Sequence, residues 1–129
     1  MKYLLDTHAL IWWLNDSPEL SAAARAAVAS EANEIYVSAA SAWEITTKHR
    51  LGKLALADRL AANVEARVLQ ERFIPLPVTM AHAEAGGRLE APHKDPFDRL
   101  LVAQALTEPM RLLTHDRQIA AYSDTVILA

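Results

Sequence analysis

The sequence predicts an α/β fold in which a short parallel sheet lies between two layers of helices, a three-layer α/β/α arrangement. Short apolar runs of strand composition alternate with helical segments along the whole chain, an order typical of parallel sheets. Several runs are apolar at consecutive positions, as expected of strands that are covered on both faces. The 129 residues, 52% of them hydrophobic, are enough for one core, so we expect a single domain over residues 1–129.

The first half of the chain predicts two strands and three helices. Ser21 and Ser38 are suitable helix N-caps, whereas the turn residues 15–18 and Gly52 are stop signals. We expect strands over residues 2–5 and 34–37, and helices over residues 7–14, 21–32 and 38–50.

The second half predicts the remaining elements. Asp95 is a suitable N-cap, and Pro96 fits the first turn of the helix that follows it. We expect helices over residues 57–71, 79–89 and 95–107, and strands over residues 73–77, 111–114 and 126–128. A short helix should lie between the last two strands. The prolines interrupt the strand predicted over residues 73–77.

The composition limits the classes of partner. The net charge of −3 and the pI of about 5.9 give no overall positive field, so a nucleic acid would have to be held by local basic residues or by metal. The absence of cysteine excludes a disulfide framework and a cysteine-ligated zinc site. We expect a cytoplasmic protein with no membrane partner, because no apolar stretch has the length of a membrane span or of a signal peptide.

Four acidic residues stand directly beside apolar segments. Asp6 and Asp116 follow predicted strands, and Glu44 and Asp98 lie on predicted helices. Because the carboxyl ends of parallel strands share one edge of a sheet, we expect these carboxylates to converge. Carboxylate oxygens suit Mg²⁺ or Mn²⁺, and a divalent cation would relieve their mutual repulsion. This pattern favours metal-assisted hydrolysis of a phosphodiester.

Each acid also has a structural alternative. Asp6 and Asp116 could cap the helices that follow them, and Glu44 could form a surface pair with Lys48, four residues later. Asp98 shares an apolar helix face, which favours a role in the site. Its alternative is a first-turn residue that interacts well with the helix dipole.

Four segments resemble the PIN-domain family and, within it, the ribonuclease toxins of VapC type. They are residues 4–8, 42–45, 93–105 and 113–116. The resemblance spans nearly the whole chain and places the family's acidic quartet on Asp6, Glu44, Asp98 and Asp116. It implies a PIN-like fold, cleavage of RNA that depends on Mg²⁺ or Mn²⁺, a homodimer and a cognate antitoxin protein.

Further polar side chains lie beside the acids in the sequence. Three are histidines, for which lining of the cleft or contact with phosphate is preferred over metal ligation: His8, His93 and His115. The candidates for contacts with the RNA backbone are Arg99, Arg117 and Thr114.

Two other functions are compatible with the acidic residues. A phosphoacceptor domain also gathers acids around Mg²⁺ at strand ends, but it usually has paired acids after the first strand and a lysine after a late strand. Here Asp6 is single and no lysine follows Leu113. The other alternative is an interaction module whose acids only cap helices. The ribonuclease interpretation is preferred because the resemblance covers all four acids.

Overall fold

The computed structural model describes residues 1–54, 57–90, 94–120 and 126–128. Its strands, β1 to β5, span Lys2–Leu5, Glu34–Ser38, Ile74–Leu76, Arg111–Thr114 and Val126–Leu128. Its helices, α1 to α8, span Thr7–Leu14, Ala22–Ala29, Ala39–Arg50, Asp58–Ala61, Val64–Gln70, Met80–Arg88, Pro96–Thr107 and Arg117–Ala120. A membrane crossing would need a longer and more apolar helix than any in the described ranges.

The strands form one parallel sheet in the order β3-β2-β1-β4-β5. The predicted α/β class with a parallel central sheet is therefore confirmed. From β1 the chain proceeds to β2 and β3, and it then returns to the other side of β1 to form β4 and β5. Open α/β sheets bind ligands beyond the carboxyl ends of their strands, where the strand order reverses. Asp6, the residue after β1, stands at that point.

Two hydrophobic cores, one on each face of the sheet, establish the three layers. Successive side chains of a strand point to opposite faces, and accordingly Leu5 belongs to one core and Leu4 to the other. The first core packs α1 to α5 against the sheet, and the second packs α7 and α8. Both leucines are fully buried, and such burial contributes roughly 1.5–3 kcal/mol for each side chain.

Side-chain caps set where two site-bearing helices begin. The hydroxyl of Ser38 accepts a hydrogen bond from the N–H of Ala40 at 3.0 Å, at the start of α3. The Asp95 carboxylate accepts from the N–H groups of Phe97 and Asp98 at 2.9 and 3.3 Å, at the start of α7. Both predicted caps are confirmed, and each contributes about 1 kcal/mol.

Two helix predictions were wrong in extent. The helix predicted over residues 57–71 is two helices, α4 and α5, because Asn63 takes an extended φ of −163° between them. The helix predicted over residues 21–32 ends at Ala29, where Ser30 becomes extended and the Asn33 amide donates to the Ala27 carbonyl at 2.9 Å. Polar residues stand at both breaks, and such residues favour the ends of helices over their interiors.

Candidate active site

Asp6 is a buried carboxylate fixed by three donors. It is 3% exposed. Its Oδ1 accepts from the N–H of Ala9 at 2.7 Å, which caps α1. Its Oδ2 lies 3.0 Å from both the backbone nitrogen and the Nδ1 of His115, just beyond β4. The side chain therefore acts as a helix cap and as a bridge between the ends of two neighbouring strands.

Glu44 is also buried, at 3% exposure, and both of its carboxylate oxygens are bonded. Thr7 Oγ1 lies 2.5 Å from Oε1, and the Lys48 ammonium donates to Oε2. Ser41 Oγ lies 3.1 Å from the Thr7 hydroxyl. The ion pair between Glu44 and Lys48, which was the structural alternative for Glu44, is present. Glu44 is nevertheless buried and does not lie on the surface. Through Thr7, which follows Asp6, this buried network joins α3 to the end of β1.

Lys48 brings a positive charge to the site. Its ammonium bonds to Glu44 and lies 5.9 Å from the centroid of the Phe97 ring, within cation–π range. Burial lowers the pKa of Lys48, but the hydrogen bond to Glu44 and the charges of Glu44, Asp95 and Asp98 outweigh it and raise the pKa above 10.5. Lys48 therefore carries its positive charge among carboxylates from two helices.

Asp98 lies half-buried in the first turn of α7, three residues after the Asp95 cap. Its negative charge raises the pKa values of both Lys48 and His115. Asp98 therefore acts on Lys48, which bonds to Glu44, and on His115, which bonds to Asp6. A carboxylate in this first turn also interacts favourably with the helix dipole.

Asp116 follows β4 and is also half-buried. Its Oδ1 accepts from the N–H of Gln118 at 2.8 Å, in the way of a cap for α8. The hydroxyl of Thr114 accepts from the Asp116 N–H at 3.1 Å, and Thr114 is fully buried. In this structure Thr114 therefore holds the backbone of Asp116, and its predicted contact with RNA stays a prediction.

Two imidazoles and an indole lie beside Asp6. The His8 and His115 ring centroids are 4.3 Å apart, and Trp12 packs edge-on against His115 at 5.6 Å. The hydrogen bond to Asp6, opposed by burial, raises the pKa of His115 above 6.5. Burial and then the neighbouring His115 lower the pKa of His8 below 6.5. His115 therefore favours its charged form, and His8 favours its neutral form.

Three further side chains were predicted to lie in the site or to contact RNA: Arg99, Arg117 and His93. Arg99 donates to the carbonyl of Gly86 at 3.0 and 3.2 Å and to that of Leu89 at 2.5 Å, so it ties α7 to the end of α6. Arg117 is exposed at the start of α8. His93 lies outside the described residues. Contacts of Arg99 and Arg117 with RNA remain predictions.

The structure thus brings the predicted acids to one end of the sheet. The charges of Asp6, Asp116 and Asp98 act together on His115, and those of Glu44 and Asp98 act together on Lys48. The apolar groove of about 280 Å³ between α3, α5 and the β2–β3 edge is a separate feature, since none of these acids is among the described residues that line it.

The donor set fits a hard divalent cation. Within the described ranges, no three acidic or imidazole side chains are close enough to hold one ion together. Mg²⁺ nevertheless prefers oxygen ligands and commonly takes only one or two protein carboxylates, with water and substrate phosphate completing its shell.

Sequence reasoning missed the polar residues that organise the acids. Thr7 and Ser41 are 4% and 1% exposed and link Asp6 to Glu44, but a threonine after a strand and a serine on a helix are unremarkable locally. The contact of Lys48 with Glu44 could be predicted, because the two residues are four positions apart on a predicted helix. The sequence alone could not indicate that the acid of this pair is buried.

Fold and sequence together identify the family. The model of the PIN domain matches residues 3–124, and the chain belongs to the PIN-domain family.

Relatives and solved structures agree with this assignment. The chain is 29% identical over 119 residues to "Ribonuclease VapC22" of Mycobacterium tuberculosis, covering 92% of this chain and 90% of the relative. It is 45% identical over 58 residues to "Ribonuclease VapC16" of the same organism, covering 45% of this chain and 41% of that relative.

Two solved structures share the fold. A chain of a toxin–antitoxin complex from Klebsiella pneumoniae superposes with a TM-score of 0.68 at 21% identity, over 98% of this chain and 96% of that one. A chain of VapBC2 from Rickettsia felis, bound to a DNA fragment from its promoter, superposes with a TM-score of 0.69 at 15% identity, over 100% and 98%.

Proposed function

We propose that the chain is an endoribonuclease that hydrolyses RNA phosphodiesters with Mg²⁺ or Mn²⁺, and that it is the toxin of a toxin–antitoxin pair. The observation that carries the proposal is the meeting of Asp6, Glu44, Asp98 and Asp116 around His115 and Lys48, at the carboxyl ends of β1 and β4 in a PIN fold. We also propose that it acts in the cytoplasm, where it would meet its RNA substrate.

The four carboxylates are the residues that would hold the cation, one or two of them directly and the others through water. When bound, such an ion supplies Lewis acidity at the phosphate and lowers the pKa of water. The protein holds these acids in place through other groups. His115 and Ala9 fix Asp6, Thr7 fixes Glu44, and the Thr114 hydroxyl fixes the backbone of Asp116.

A matched pair of charge-neutralising variants tests this function. With purified protein and small structured RNAs, cleavage should require Mg²⁺ or Mn²⁺. Asp98→Asn should lower the rate by more than the roughly 10–100-fold typical of an outer-shell change at a metal site. Asp95→Asn is the control, because asparagine is an equally good N-cap and the variant also loses one charge near Lys48. Undiminished cleavage in EDTA, or by Asp98→Asn, would refute the proposal.

Metal binding can be measured without RNA. A cation that binds only the folded protein raises its unfolding temperature. Mg²⁺ or Mn²⁺ should raise this temperature for the wild type and for Asp95→Asn, and the increase should be smaller for Asp98→Asn. An equal increase in all three proteins would exclude Asp98 from the metal site.

The proposal includes a homodimer. Trp43 on α3 is 63% exposed and packs edge-on against Phe97 of α7, with ring centroids 5.1 Å apart. Large exposed aromatic residues of this kind are enriched at protein interfaces. Analytical ultracentrifugation should show a wild-type dimer that dissociates in Trp43→Lys. A dimer that tolerates the lysine would place the interface elsewhere.

The partner of the toxin is a cognate antitoxin, by similarity to the toxin–antitoxin complexes that share the fold. The product of a small reading frame adjacent to the gene should inhibit RNA cleavage at a one-to-one ratio. Cleavage unaffected by that protein would argue against the pair.

A further inference from the structure

We propose that Lys48 binds a phosphate of the RNA beside the carboxylates, and that Glu44 is the positioning residue for this lysine. The inference rests on the proposed ribonuclease function. It adds a substrate-binding residue on α3 to a site whose predicted members are acids, and it gives Glu44 a task besides metal ligation.

The burial of Glu44 supports the first step. A glutamate–lysine pair at i,i+4 on an exposed helix contributes little to stability, and its charges remain mobile. Here the Glu44 side chain is 4% exposed and that of Lys48 is 32% exposed. The carboxylate is held from behind by the Thr7 hydroxyl at 2.5 Å. Glu44 is therefore a rigid anchor, and Lys48 is the member of the pair that reaches solvent.

The donor capacity of Lys48 also supports a contact with phosphate. An ammonium carries three N–H groups. In the described part of the chain, Glu44 Oε2 is the acceptor that Lys48 bonds to. The centroid of the Phe97 ring lies 5.9 Å from the ammonium. Donors thus remain for an anionic ligand, and a phosphate oxygen is the anion that RNA offers.

The negative charges around Lys48 favour the same contact. An RNA phosphate that approaches this edge of the sheet meets the negative charges of Glu44, Asp95 and Asp98, all of which act on Lys48. A fixed positive charge among them lowers the repulsion and marks one position for the phosphate. Arg99 is less suited to this task, because its guanidinium donates to the carbonyls of Gly86 and Leu89.

The salt dependence of RNA binding measures such a contact directly. Each phosphate contact with single-stranded RNA contributes about 0.7 to the slope of log K against log salt concentration. Binding of a fluorescein-labelled single-stranded RNA is measured by anisotropy in EDTA, from about 50 to about 200 mM salt. Lys48→Met should bind about tenfold more weakly and reduce the slope by about 0.7. Lys48→Arg should retain the wild-type slope.

Lys53 provides the matched control. It is an exposed lysine shortly after the same helix, so Lys53→Met removes one charge without touching the carboxylates. It should leave the slope unchanged. An equal loss of slope in both methionine variants would overturn the proposal, because it would show a general effect of charge. A wild-type slope in Lys48→Met would overturn it as well.

A double-mutant cycle tests the role of Glu44. Glu44→Gln should weaken RNA binding in the wild-type background, because Lys48 loses its charged anchor, although removal of a negative charge alone would strengthen it. In the Lys48→Met background the same substitution should no longer weaken binding. Equal weakening in both backgrounds would show that Glu44 acts independently of Lys48.

These outcomes separate the two proposals. A wild-type protein that cleaves RNA, with a slope insensitive to Lys48→Met, would retain the ribonuclease function and refute the lysine contact. A wild-type protein that neither binds nor cleaves RNA would refute both. Circular dichroism and unfolding curves of each variant ensure that binding is compared between folded proteins.

Discussion

Asp6 and His115 are 109 positions apart in the sequence, yet one carboxylate oxygen of Asp6 lies 3.0 Å from both the backbone nitrogen and the Nδ1 of His115. The backbone adds a further link, since the Asp6 N–H donates to the Leu113 carbonyl at 2.9 Å. The contact exists because β1 and β4 are adjacent and in register, with Leu5 opposite Leu113. The geometry of the site therefore depends on the pairing of two strands from opposite ends of the chain.

This bond predicts a pH-dependent contribution of His115 to stability. The pKa of His115 is raised in the folded protein, chiefly by the hydrogen bond to Asp6 and also by the charges of Asp116 and Asp98, against burial. A raised pKa stabilises the folded state fully below the unfolded value of about 6.5, and the effect is lost as the pH rises through the folded value. His115→Ala should therefore lower the free energy of unfolding more at about pH 6 than at about pH 9.

Urea denaturation at the two pH values checks this prediction. His49→Ala is a suitable control, because His49 pairs with Asp58 at 2.8 Å but both side chains are exposed and solvent screens the pair. The loss of stability in His115→Ala at each pH is compared with the loss in this control. His8 faces His115, and its own pKa is lowered, so the comparison should be repeated in a His8→Phe background. If His115→Ala lost more free energy of unfolding as the pH rises, the raised pKa of His115 in the folded protein would be contradicted.

A buried histidine away from the site gives a second prediction. His82 is 1% exposed, and its Nδ1 accepts from the Thr79 N–H at 3.0 Å, so Nε2 carries the proton. That nitrogen lies 2.5 Å from the Glu108 carboxylate, which joins α6 to the end of α7. Glu108→Ala would leave a buried donor without its partner, at a cost of about 1–3 kcal/mol.

Thermal and urea unfolding measure that cost. Glu108→Gln keeps an acceptor at the same position and should lose clearly less stability than Glu108→Ala. Because this pair lies outside the carboxylate site, both variants should retain RNA cleavage below their unfolding temperatures. Equal destabilisation by the two substitutions would show that the charge of Glu108 matters and not its hydrogen bond.

The parts of the fold that could be predicted from the sequence are those that local chemistry decides. Ser38 and Asp95 cap helices whichever partners those helices find, and Gly52 ends α3 with a φ of 72°, a region that favours glycine. The order of strands and helices likewise follows from apolar runs. The split at Asn63 was missed because asparagine is tolerated within helices as well as between them.

The site was harder to predict, because its geometry depends on burial and on contacts between distant elements. Glu44 and Lys48 look like a surface pair in the sequence, but the packing of α3 against other helices, α1 and α7 among them, makes the acid internal. The tie between Arg99 and the Gly86 carbonyl depends on the packing of α6 against α7. No local pattern indicates such contacts.

Thr7 offers the sharpest test of how these distant elements act together. It is 4% exposed, and its hydroxyl lies 2.5 Å from Glu44 Oε1 and 3.1 Å from Ser41 Oγ. Thr7→Val keeps the shape but removes the donor, so the buried carboxylate loses one of the two donors that it has among the described residues. We expect a loss of about 1–3 kcal/mol in the free energy of unfolding.

Thr7→Ser keeps the hydroxyl and should recover most of that loss. If the bond also positions Glu44 for its work with Lys48, Thr7→Val should slow RNA cleavage under conditions where the variant is fully folded, and Thr7→Ser should not. The measurements are urea unfolding and the initial rate of cleavage at a temperature well below both transitions. Wild-type stability in Thr7→Val would mean that Glu44 has found another donor, and a wild-type rate despite lost stability would limit the bond to a structural role.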